Sequence, residues 1–335
     1  MRKIEANKKY MKHILYLLCI VLLVSCEKEL KIIKTSGPVF GTAYNIQFAS
    51  TEETNYQQQF DSLFNVVNNS MSTYIPNSII SRLNRGEDVA VDAHFLRVFN
   101  SAKTIYRSTQ GAFDPTIGAV VNAWDFGPEG KITNIDSTAI DSLMKSVGFN
   151  RMGLQKNRVI KSNQSFLDFN AIAKGYGVDA IAQFLEQKNV TDYLVEIGGE
   201  MRTKGINIEK KSAWTVGIFD PNFEGPDSYS KVIDLKDQSM ATSGTYRKFK
   251  IDENGNRYAH IIDTKTGYPT KTNILSVSVI AEDCMTADAY ATAFQAMGIK
   301  KVSEFVERRP ELKVYFIYED DDNTLQTLSL NGFPE

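Results

Sequence analysis

Cysteine is scarce in this 335-residue sequence, which holds only three, at positions 19, 26 and 284. The first two lie in or next to an N-terminal segment that we expect to be processed, so Cys284 is the only thiol left in the body of the chain. A single cysteine excludes an intramolecular disulfide and a thiolate zinc site. We therefore interpret Cys284 as a small, buried apolar residue.

An excess of positive charge is also absent. The formal net charge is -2, and residues 1–25 carry five basic side chains against Glu5 alone, so the remainder of the chain has a net charge of -6. A chain this acidic lacks the excess of positive charge that is typical of nucleic-acid-binding proteins. An anionic ligand would need a metal ion or a local cluster of donors.

Long hydrophobic runs are missing as well. A basic stretch ending at Lys12 is followed by the apolar run His13–Val24, which is too short to cross a bilayer as a helix of ~20 residues and is typical of a secretory signal. Leu23–Cys26 resembles a bacterial lipobox, which predicts cleavage before Cys26 and a lipid on its sulfur. The alternative is an uncleaved N-terminal anchor. Either way, we expect the body to lie outside the cytoplasm, tethered to a bacterial membrane, with the periplasmic face of the inner membrane favoured.

The composition of the rest is that of a globular protein, with 42% hydrophobic and 23% charged residues. We predict a signal peptide over residues 1–25, a tether over 26–36 and one domain over 37–335. Helical periodicity is seen over 54–70, 174–188 and 286–297. Strands are predicted at 193–197 and 214–219, and a hairpin is predicted within 158–169 around residues 162–164. Interspersed helices and strands, with hairpins late in the chain, favour an α+β or mixed α/β fold.

The segment Leu167–Gly177 lies where a strand is predicted to end and a helix to begin. Free backbone N–H groups and the positive end of the helix dipole could bind a phosphate there, and Lys174 adds a cation. The segment matches neither a Walker loop nor G-x-G-x-x-G. The alternative is a capped helix start in which Asp168 is a turn residue.

The predicted helix over 286–297 places Asp288 and Thr292 four residues apart, on one face. A carboxylate and a hydroxyl in otherwise small, apolar surroundings are hard oxygen ligands suited to Mg²⁺. The alternative is that Asp288 caps or packs locally and Thr292 bonds back to its own helix.

Two further segments are candidates for a site. His260 ends a predicted strand, and Asp263 opens the turn-rich loop that follows, so His260 could move a proton near neutral pH. His94, on a helix with an apolar face, is interpreted as structural. The glycines and aromatics of Gly111–Gly118 suit a loop that lines a planar ligand, although a packed Ω-loop would look the same.

Together these segments closely resemble the ApbE-type FAD:protein FMN transferases. The resemblance covers most of the chain and depends on the order and spacing of several motifs. They are Phe40–Thr42, Met71–Tyr74, Ser78–Asn84, Gly111–Gly118, Leu167–Gly177, Glu196–Glu200, Thr242–Thr245, His260–Pro269 and Thr286–Thr292. The resemblance implies a T-fold-related architecture with mixed and antiparallel sheets, flanking helices and a flavin nucleotide site between lobes.

The resemblance also implies an activity and its site residues. Members of the family use Mg²⁺ and FAD to attach FMN through a phosphoester bond to a threonine or serine of a partner protein, releasing AMP. His260 or Asp263 would be the general base, and the Ala171 carbonyl, Asp288 and Thr292 would hold the metal. The flavin nucleotide positions would be Phe40, Tyr74, Ala112, Phe113, Asp114, Asp168, Lys174 and Ile261.

Two residues depart from the family pattern. Phe40 stands where methionine is usual, and Asn170-Ala171 stands where Gly-Gly or Asn-Gly is common. Phenylalanine keeps an apolar contact and a backbone ligand tolerates alanine, so the activity is still expected. The implied partners are FAD and flavin-carrying subunits of membrane redox complexes of the sodium-translocating NADH:quinone oxidoreductase or Rnf type. Two other functions remain open, namely an FAD pyrophosphatase that forms FMN and AMP, and a flavin-binding lipoprotein without catalysis.

Overall fold

The computed structural model describes residues 29–130, 135–162, 164–221, 228–245, 249–251 and 257–335. The predicted signal peptide and Cys26 lie outside these residues, so both remain predictions. Within the described ranges, no helix combines the length and the apolar character needed to span a bilayer.

Helices and strands alternate irregularly along the chain. Within the described ranges the α-helices are α1 (Gln57–Met71), α2 (Ile79–Asn84), α3 (Ala93–Ser108), α4 (Gly118–Ala123), α5 (Ser137–Met144), α6 (Ala173–Gln187), α7 (Cys284–Met297) and α8 (Ile299–Val306). The strands are β1 (Lys31–Val39), β2 (Thr42–Ser50), β3 (Gly153–Gln155), β4 (Arg158–Ile160), β5 (Tyr193–Ile197), β6 (Glu200–Lys204), β7 (Trp214–Phe219), β8 (Tyr229–Leu235), β9 (Ser239–Gly244), β10 (Phe249–Ile251), β11 (Arg257–Ala259), β12 (Ile274–Ala281), β13 (Lys313–Glu319) and β14 (Leu325–Leu330).

Eight strands form one sheet in the order β1-β2-β5-β6-β9-β12-β13-β14, and each neighbouring pair runs antiparallel. The remaining strands form the antiparallel ribbons β3–β4, β7–β8 and β10–β11. Among the described residues, the only parallel pairing is an isolated bridge between Ile117 and Phe166. The predicted fold class, with antiparallel sheets and flanking helices, is confirmed.

The sheet is covered on both faces because successive side chains of a strand point to opposite sides. Val195 of β5 and Ala241 of β9 belong to the clusters that the helices cover. Their neighbours Leu194 and Met240 belong to another cluster, with Trp214 of the β7–β8 ribbon. The ribbon therefore forms a third layer on the face opposite the helices.

Two sequence expectations were wrong. The residues from Lys31 do not form a tether, because they pair with β2 from Lys31↔Ser50 to Val39↔Thr42. Backbone hydrogen bonds hold this edge strand and most of its side chains stay partly exposed, so its composition resembles that of a linker. The hairpin turns at Lys156 and Asn157 between β3 and β4, so Arg158–Ile160 is its second strand and not its first, and Lys156 adopts a left-handed φ of 55°.

Helices α6 and α7 approach each other closely behind the sheet. A Cβ at Gly175 would lie 2.4 Å from the carbonyl oxygen of Cys284, so a side chain there would force the helices apart. Asp179 of α6 accepts hydrogen bonds from the backbone N–H groups of Cys284 (3.0 Å) and Met285 (2.8 Å), and Arg202 donates to it at 2.8 Å. The first turn of α7 is thus capped by a carboxylate from α6, which fixes the register between them.

Candidate active site

A cavity of about 940 Å³ opens beside α6 and α7, within the usual volume range of small-molecule sites. Strands β2, β5, β6, β7, β8 and β9, the segment before α6 and the loops around residues 113 and 261 supply much of the remaining lining. Eleven of the thirteen sequence-predicted catalytic, nucleotide and metal residues line it: Phe40, Ala112, Phe113, Asp114, Asp168, Ala171, Lys174, His260, Ile261, Asp288 and Thr292. The structure therefore brings together segments that lie up to about 250 residues apart in the chain.

Tyr74 and Asp263 are the two predicted residues that do not line this cavity. Tyr74 is 57% exposed, but partial burial of its hydroxyl and the carboxylate of Asp168 both raise its pKa. It therefore lies within electrostatic reach of the cavity wall. Asp263 lines a neighbouring groove instead, where its Oδ1 accepts the backbone N–H groups of Lys265 (2.7 Å) and Thr266 (3.1 Å).

The start of α6 is built as a turn around Asp168. The Asp168 carboxylate accepts the backbone N–H of Asn170 at 2.7 Å and its side-chain amide at 3.1 Å, so Asp168 is the turn residue of the alternative interpretation while also lining the cavity. Ile172, which precedes the helix, has no side-chain oxygen with which to cap it. The N–H of Gly175, in the first turn, donates to Asp288 Oδ2 at 2.9 Å, so a carboxylate from α7 occupies this part of the helix terminus.

Lys174, Glu200 and Asp288 form a charged wall of the cavity. Lys174 donates to Glu200 Oε1, and 33% of the lysine side chain is exposed, whereas Glu200 is only 3% exposed. Burial alone would lower the pKa of Lys174, but the carboxylates of Glu200 and Asp288 outweigh it and raise that pKa well above its ordinary value. Lys174 therefore stays positively charged and is accessible to an anion in the cavity.

Two buried carboxylates face this single ammonium. Asp288 is 4% exposed, and burial raises the pKa of both Asp288 and Glu200. The second oxygen of Glu200, Oε2, is buried without a hydrogen-bond partner in the described part of the chain. The wall thus carries one more potential negative charge than positive charge, and a bound cation would compensate it.

The predicted metal ligands all line the cavity. Asp288 and Thr292 lie one turn apart on α7 and both line the cavity, as does Ala171 just before α6. Thr292 Oγ1 lies 3.2 Å from Ser243 Oγ, rather than being bonded to the backbone of its own helix. Within the described ranges, no group of three or more His, Cys, Asp and Glu side chains could hold a metal. A single carboxylate with hydroxyl and carbonyl oxygens instead suits Mg²⁺ that keeps water and takes phosphate oxygens as ligands.

His260 follows the last residue of β11, as predicted, and is partly buried in the cavity lining. Its ring meets that of Phe126 edge to face, with centroids 6.4 Å apart. The loop beyond it is held from outside, since Trp124 Nε1 donates to the Gly267 carbonyl at 2.8 Å and Thr264 Oγ1 donates to the Gly111 carbonyl at 2.6 Å. His94 is bonded to Tyr176 Oη through Nδ1 at 2.7 Å, away from the cavity lining, which agrees with its structural interpretation.

Asp114 both lines the cavity and anchors its loop. Its Oδ1 accepts the N–H (2.8 Å) and hydroxyl (2.6 Å) of Thr116, and its Oδ2 accepts the N–H of Phe149 at 3.3 Å. Burial nevertheless raises the pKa of this carboxyl. The loop of Gly111–Gly118 is therefore fixed before any ligand binds.

Sequence reasoning assigned no role to three parts of the lining. Glu200 and Ser243 stood inside quoted motifs, and the ribbon residues Gly217 and Tyr229 stood in none. Glu200 could have been found only through its pairing with Lys174, 26 residues away, and Ser243 only through Thr292 on α7. Both contacts join residues that are far apart in the chain, so the local spacing of residues does not reveal either of them.

Comparisons with known proteins agree with this geometry. The sequence profile of the ApbE family matches residues 40–316. The FAD:protein FMN transferase of Haemophilus influenzae is 36% identical over 97% of both chains, and that of Vibrio cholerae is 35% identical over 90% of this chain and 92% of its own. The solved flavin transferase ApbE from Vibrio cholerae superposes with a TM-score of 0.81, at 33% identity, over 90% of this chain and 97% of that one.

Proposed function

Because this chain belongs to the ApbE family and is a transferase of the FAD:protein FMN type, we propose that it works with Mg²⁺, modifies threonine or serine and releases AMP. The observation that supports this most strongly is the charged wall of Lys174, Glu200 and Asp288 in the same cavity as His260. A diphosphate needs cations, and a hydroxyl nucleophile needs a base. Both requirements are met in one cavity.

The residues of the cavity suggest how the reaction proceeds. Lys174 pairs with a phosphate oxygen of FAD and stabilises the charge that develops as the diphosphate breaks. The Ala171 carbonyl, Asp288 and Thr292 would hold Mg²⁺, which when bound supplies further neutralisation of that charge. His260 accepts the proton of the acceptor hydroxyl at a ring nitrogen. The hydroxyl oxygen then bonds to the phosphorus of the FMN half, the bond between the two phosphates breaks, and AMP leaves.

The remaining nucleotide contacts follow from the lining. Phe40, Ala112, Phe113 and Ile261 offer apolar surface for the flat ring systems of FAD, and Tyr74 lies outside this lining but within the electrostatic influence of Asp168. Asp168 and Asp114 are held by their own turns and can accept hydrogen bonds from the nucleotide without rearrangement.

Product analysis tests this proposal. The protein is incubated with FAD, Mg²⁺ and an acceptor flavoprotein subunit of a membrane redox complex of the NADH:quinone oxidoreductase or Rnf type. Covalent flavin on the acceptor, with one AMP for each FMN attached, is the expected result. Free FMN with no labelled acceptor would identify a pyrophosphatase, and unchanged FAD would identify a flavin-binding lipoprotein. Removal of the metal by a chelator should stop the reaction, and added Mg²⁺ should restore it.

The place of the enzyme in the cell is a second part of the proposal. The lipobox-like sequence Leu23–Cys26 supports lipid attachment at Cys26 and anchoring on the periplasmic face of the bacterial inner membrane. The variant Cys26→Ala should leave the membrane fraction or accumulate as an unprocessed precursor, measured by fractionation and mass spectrometry. A correctly cleaved Cys26→Ala protein that stays on the membrane would contradict lipidation at this residue.

A further inference from the structure

A second concave surface adjoins the cavity, and no step described above uses it. It is a groove of about 710 Å³ between the end of α3, the loop after His260 and helix α8. Its wall shares Ala112, Thr264 and Ala296 with the cavity, so an occupant of the groove would lie next to the reacting groups. The hydrogen bond from Thr264 Oγ1 to the Gly111 carbonyl fixes this shared wall.

The groove combines apolar side chains with a charged rim. Ala296, Met297 and Phe305 contribute the apolar part, and the Phe305 ring is packed against Phe294, with centroids 5.5 Å apart. Charged side chains of the loop and of the α8 segment surround them. An apolar centre within a polar rim is the usual composition of a surface that binds a protein segment.

The accessible charge of the rim is positive. Lys265, Lys301 and Arg308 are exposed and have no ion-pair or side-chain hydrogen-bond partner among the residues that the structure describes. The acidic side chains of the lining are Asp263, Glu304 and Glu311, and Arg309, 3.9 Å from Glu311, is a fourth basic one, so the groove carries a net charge of +1. An acidic ligand is therefore favoured there, on a chain whose overall charge is negative.

We propose that this groove, the acceptor groove, docks an acidic segment of the acceptor protein and so presents the neighbouring hydroxyl to His260. The inference rests on the proposed function, because only a protein substrate needs a second binding surface next to the nucleotide cavity. A phosphate of FAD is the less favoured occupant, since Lys174 and the proposed metal ligands already lie in the first cavity. Lys265, Lys301 and Arg308 then contribute to acceptor affinity without touching FAD.

Binding of two synthetic peptides to the full chain with FAD present tests the proposal. Each peptide carries one central threonine, flanked by aspartates in one and by asparagines in the other, and binding is followed by fluorescence anisotropy. The aspartate peptide should bind wild type roughly tenfold more tightly, as two or three surface ion pairs allow, and high salt should remove the difference.

Charge-reversal variants show which side chains cause the preference for the aspartate peptide. Lys301→Glu combined with Arg308→Glu should abolish the preference for aspartate, and Glu304→Lys should increase it. The matched control combines Lys236→Glu with Lys300→Glu, which changes the net charge equally at exposed lysines outside both cavities and should keep the preference. All these side chains are on the surface, and thermal melts confirm that each variant folds.

Three results would overturn the proposal. The first is that wild type binds both peptides equally. The second is that the variant with Lys301 and Arg308 reversed still prefers the aspartate peptide. The third is that the KM of this variant for FAD increases as much as its peptide binding is lost. The last result would assign the groove to the nucleotide. The binding assay needs no turnover, whereas failure of the proposed function would appear as absent flavin transfer by wild type.

Discussion

The charged wall and the loop that follows His260 border the same cavity, but they are held in different ways. Asp288 and Glu200 are almost fully buried on α7 and β6. Asp288 bonds to Gly175 where α6 contacts α7, and Glu200 pairs with Lys174 of α6. The loop is held by its own backbone, with Asp263 N donating to the Tyr268 carbonyl and Thr270 N donating to the Ile261 carbonyl, both at 2.8 Å, and by the side-chain bonds that Trp124 and Thr264 make.

This difference matches the two tasks of a group transfer. Charge that must stabilise a diphosphate is most effective when it is fixed and desolvated before the substrate arrives. A base that must meet the hydroxyl of another protein has to be accessible from outside, and His260 is only partly buried. In the proposed reaction the nucleotide would meet the buried, charged wall, and the acceptor would approach along the loop beside the groove.

The largest effect is expected from removing the charge of Asp288. Asp288→Asn keeps an acceptor for the Gly175 N–H, so the contact between α6 and α7 should survive. Flavin transfer should fall roughly 10⁴-fold, because the proposed metal site loses its carboxylate and charge neutralisation by a metal contributes several kcal/mol. Rates are measured over a range of Mg²⁺ concentrations. Wild-type activity at limiting Mg²⁺ would remove Asp288 from the metal site.

Substitution of His260, the proposed base, should have the next largest effect on the rate of flavin transfer. His260→Ala should bind FAD nearly as wild type does and transfer flavin about 10²–10⁴-fold more slowly. The wild-type rate should fall as the pH drops through the titration of the imidazole, because a base must be unprotonated to accept a proton. Transfer is measured against pH for both proteins.

Asp263→Asn is the matched control for His260→Ala. The asparagine side chain can still accept the N–H groups of Lys265 and Thr266, so the turn should persist and the rate should change little. If Asp263→Asn is inactive while His260→Ala transfers flavin at the wild-type rate, Asp263 is the base and His260 is structural.

Two glycines of α6, the helix that carries Lys174, test how rigidly the charged wall is held. Gly175→Ala would place a Cβ 2.4 Å from the Cys284 carbonyl oxygen, a backbone atom that can move only if α7 shifts. We expect a loss of about 1–3 kcal/mol in the free energy of unfolding, measured by denaturant titration. Gly177→Ala, whose Cβ would instead meet the movable Phe40 ring at 2.6 Å, should cost less. Equal losses would mean that the contact between α6 and α7 is not tight.

The smallest effect is expected at Glu200. Glu200→Gln leaves Lys174 with Asp288 as its remaining carboxylate partner, so the lysine competes with the metal. The Mg²⁺ concentration for half-maximal activity should rise roughly three- to tenfold, in keeping with the loss of one hydrogen-bonded charge. Glu196→Gln, which lies in the same cavity lining but bonds to Asn45 rather than to Lys174, should leave it unchanged. An unaltered Mg²⁺ requirement in Glu200→Gln would show that Glu200 does not protect the metal site from Lys174.

Local patterns in the sequence predicted much of this structure. Strands β5 and β7 were predicted with the observed bounds, and α6 lies within one residue of its predicted range. The spacing of Asp288 and Thr292 placed both on one face of α7, because helical geometry alone decides that. Strands β6 and β9 were missed, because their sequences are polar or poor in β-branched apolar residues and only their neighbours in the sheet stabilise them.

The sequence by itself determined which chemical groups are available: one lysine, one carboxylate with a hydroxyl at helical spacing, and a histidine at the end of a strand. The tertiary structure alone decided that Glu200 pairs with Lys174, that Asp288 bonds to Gly175, and that Asp263 is engaged in its own turn next to a basic groove. The physical reason is the distance along the chain over which each kind of interaction acts. Periodicity and turn chemistry act over a few residues, whereas these contacts join distant segments that only the packed sheet and helices bring together.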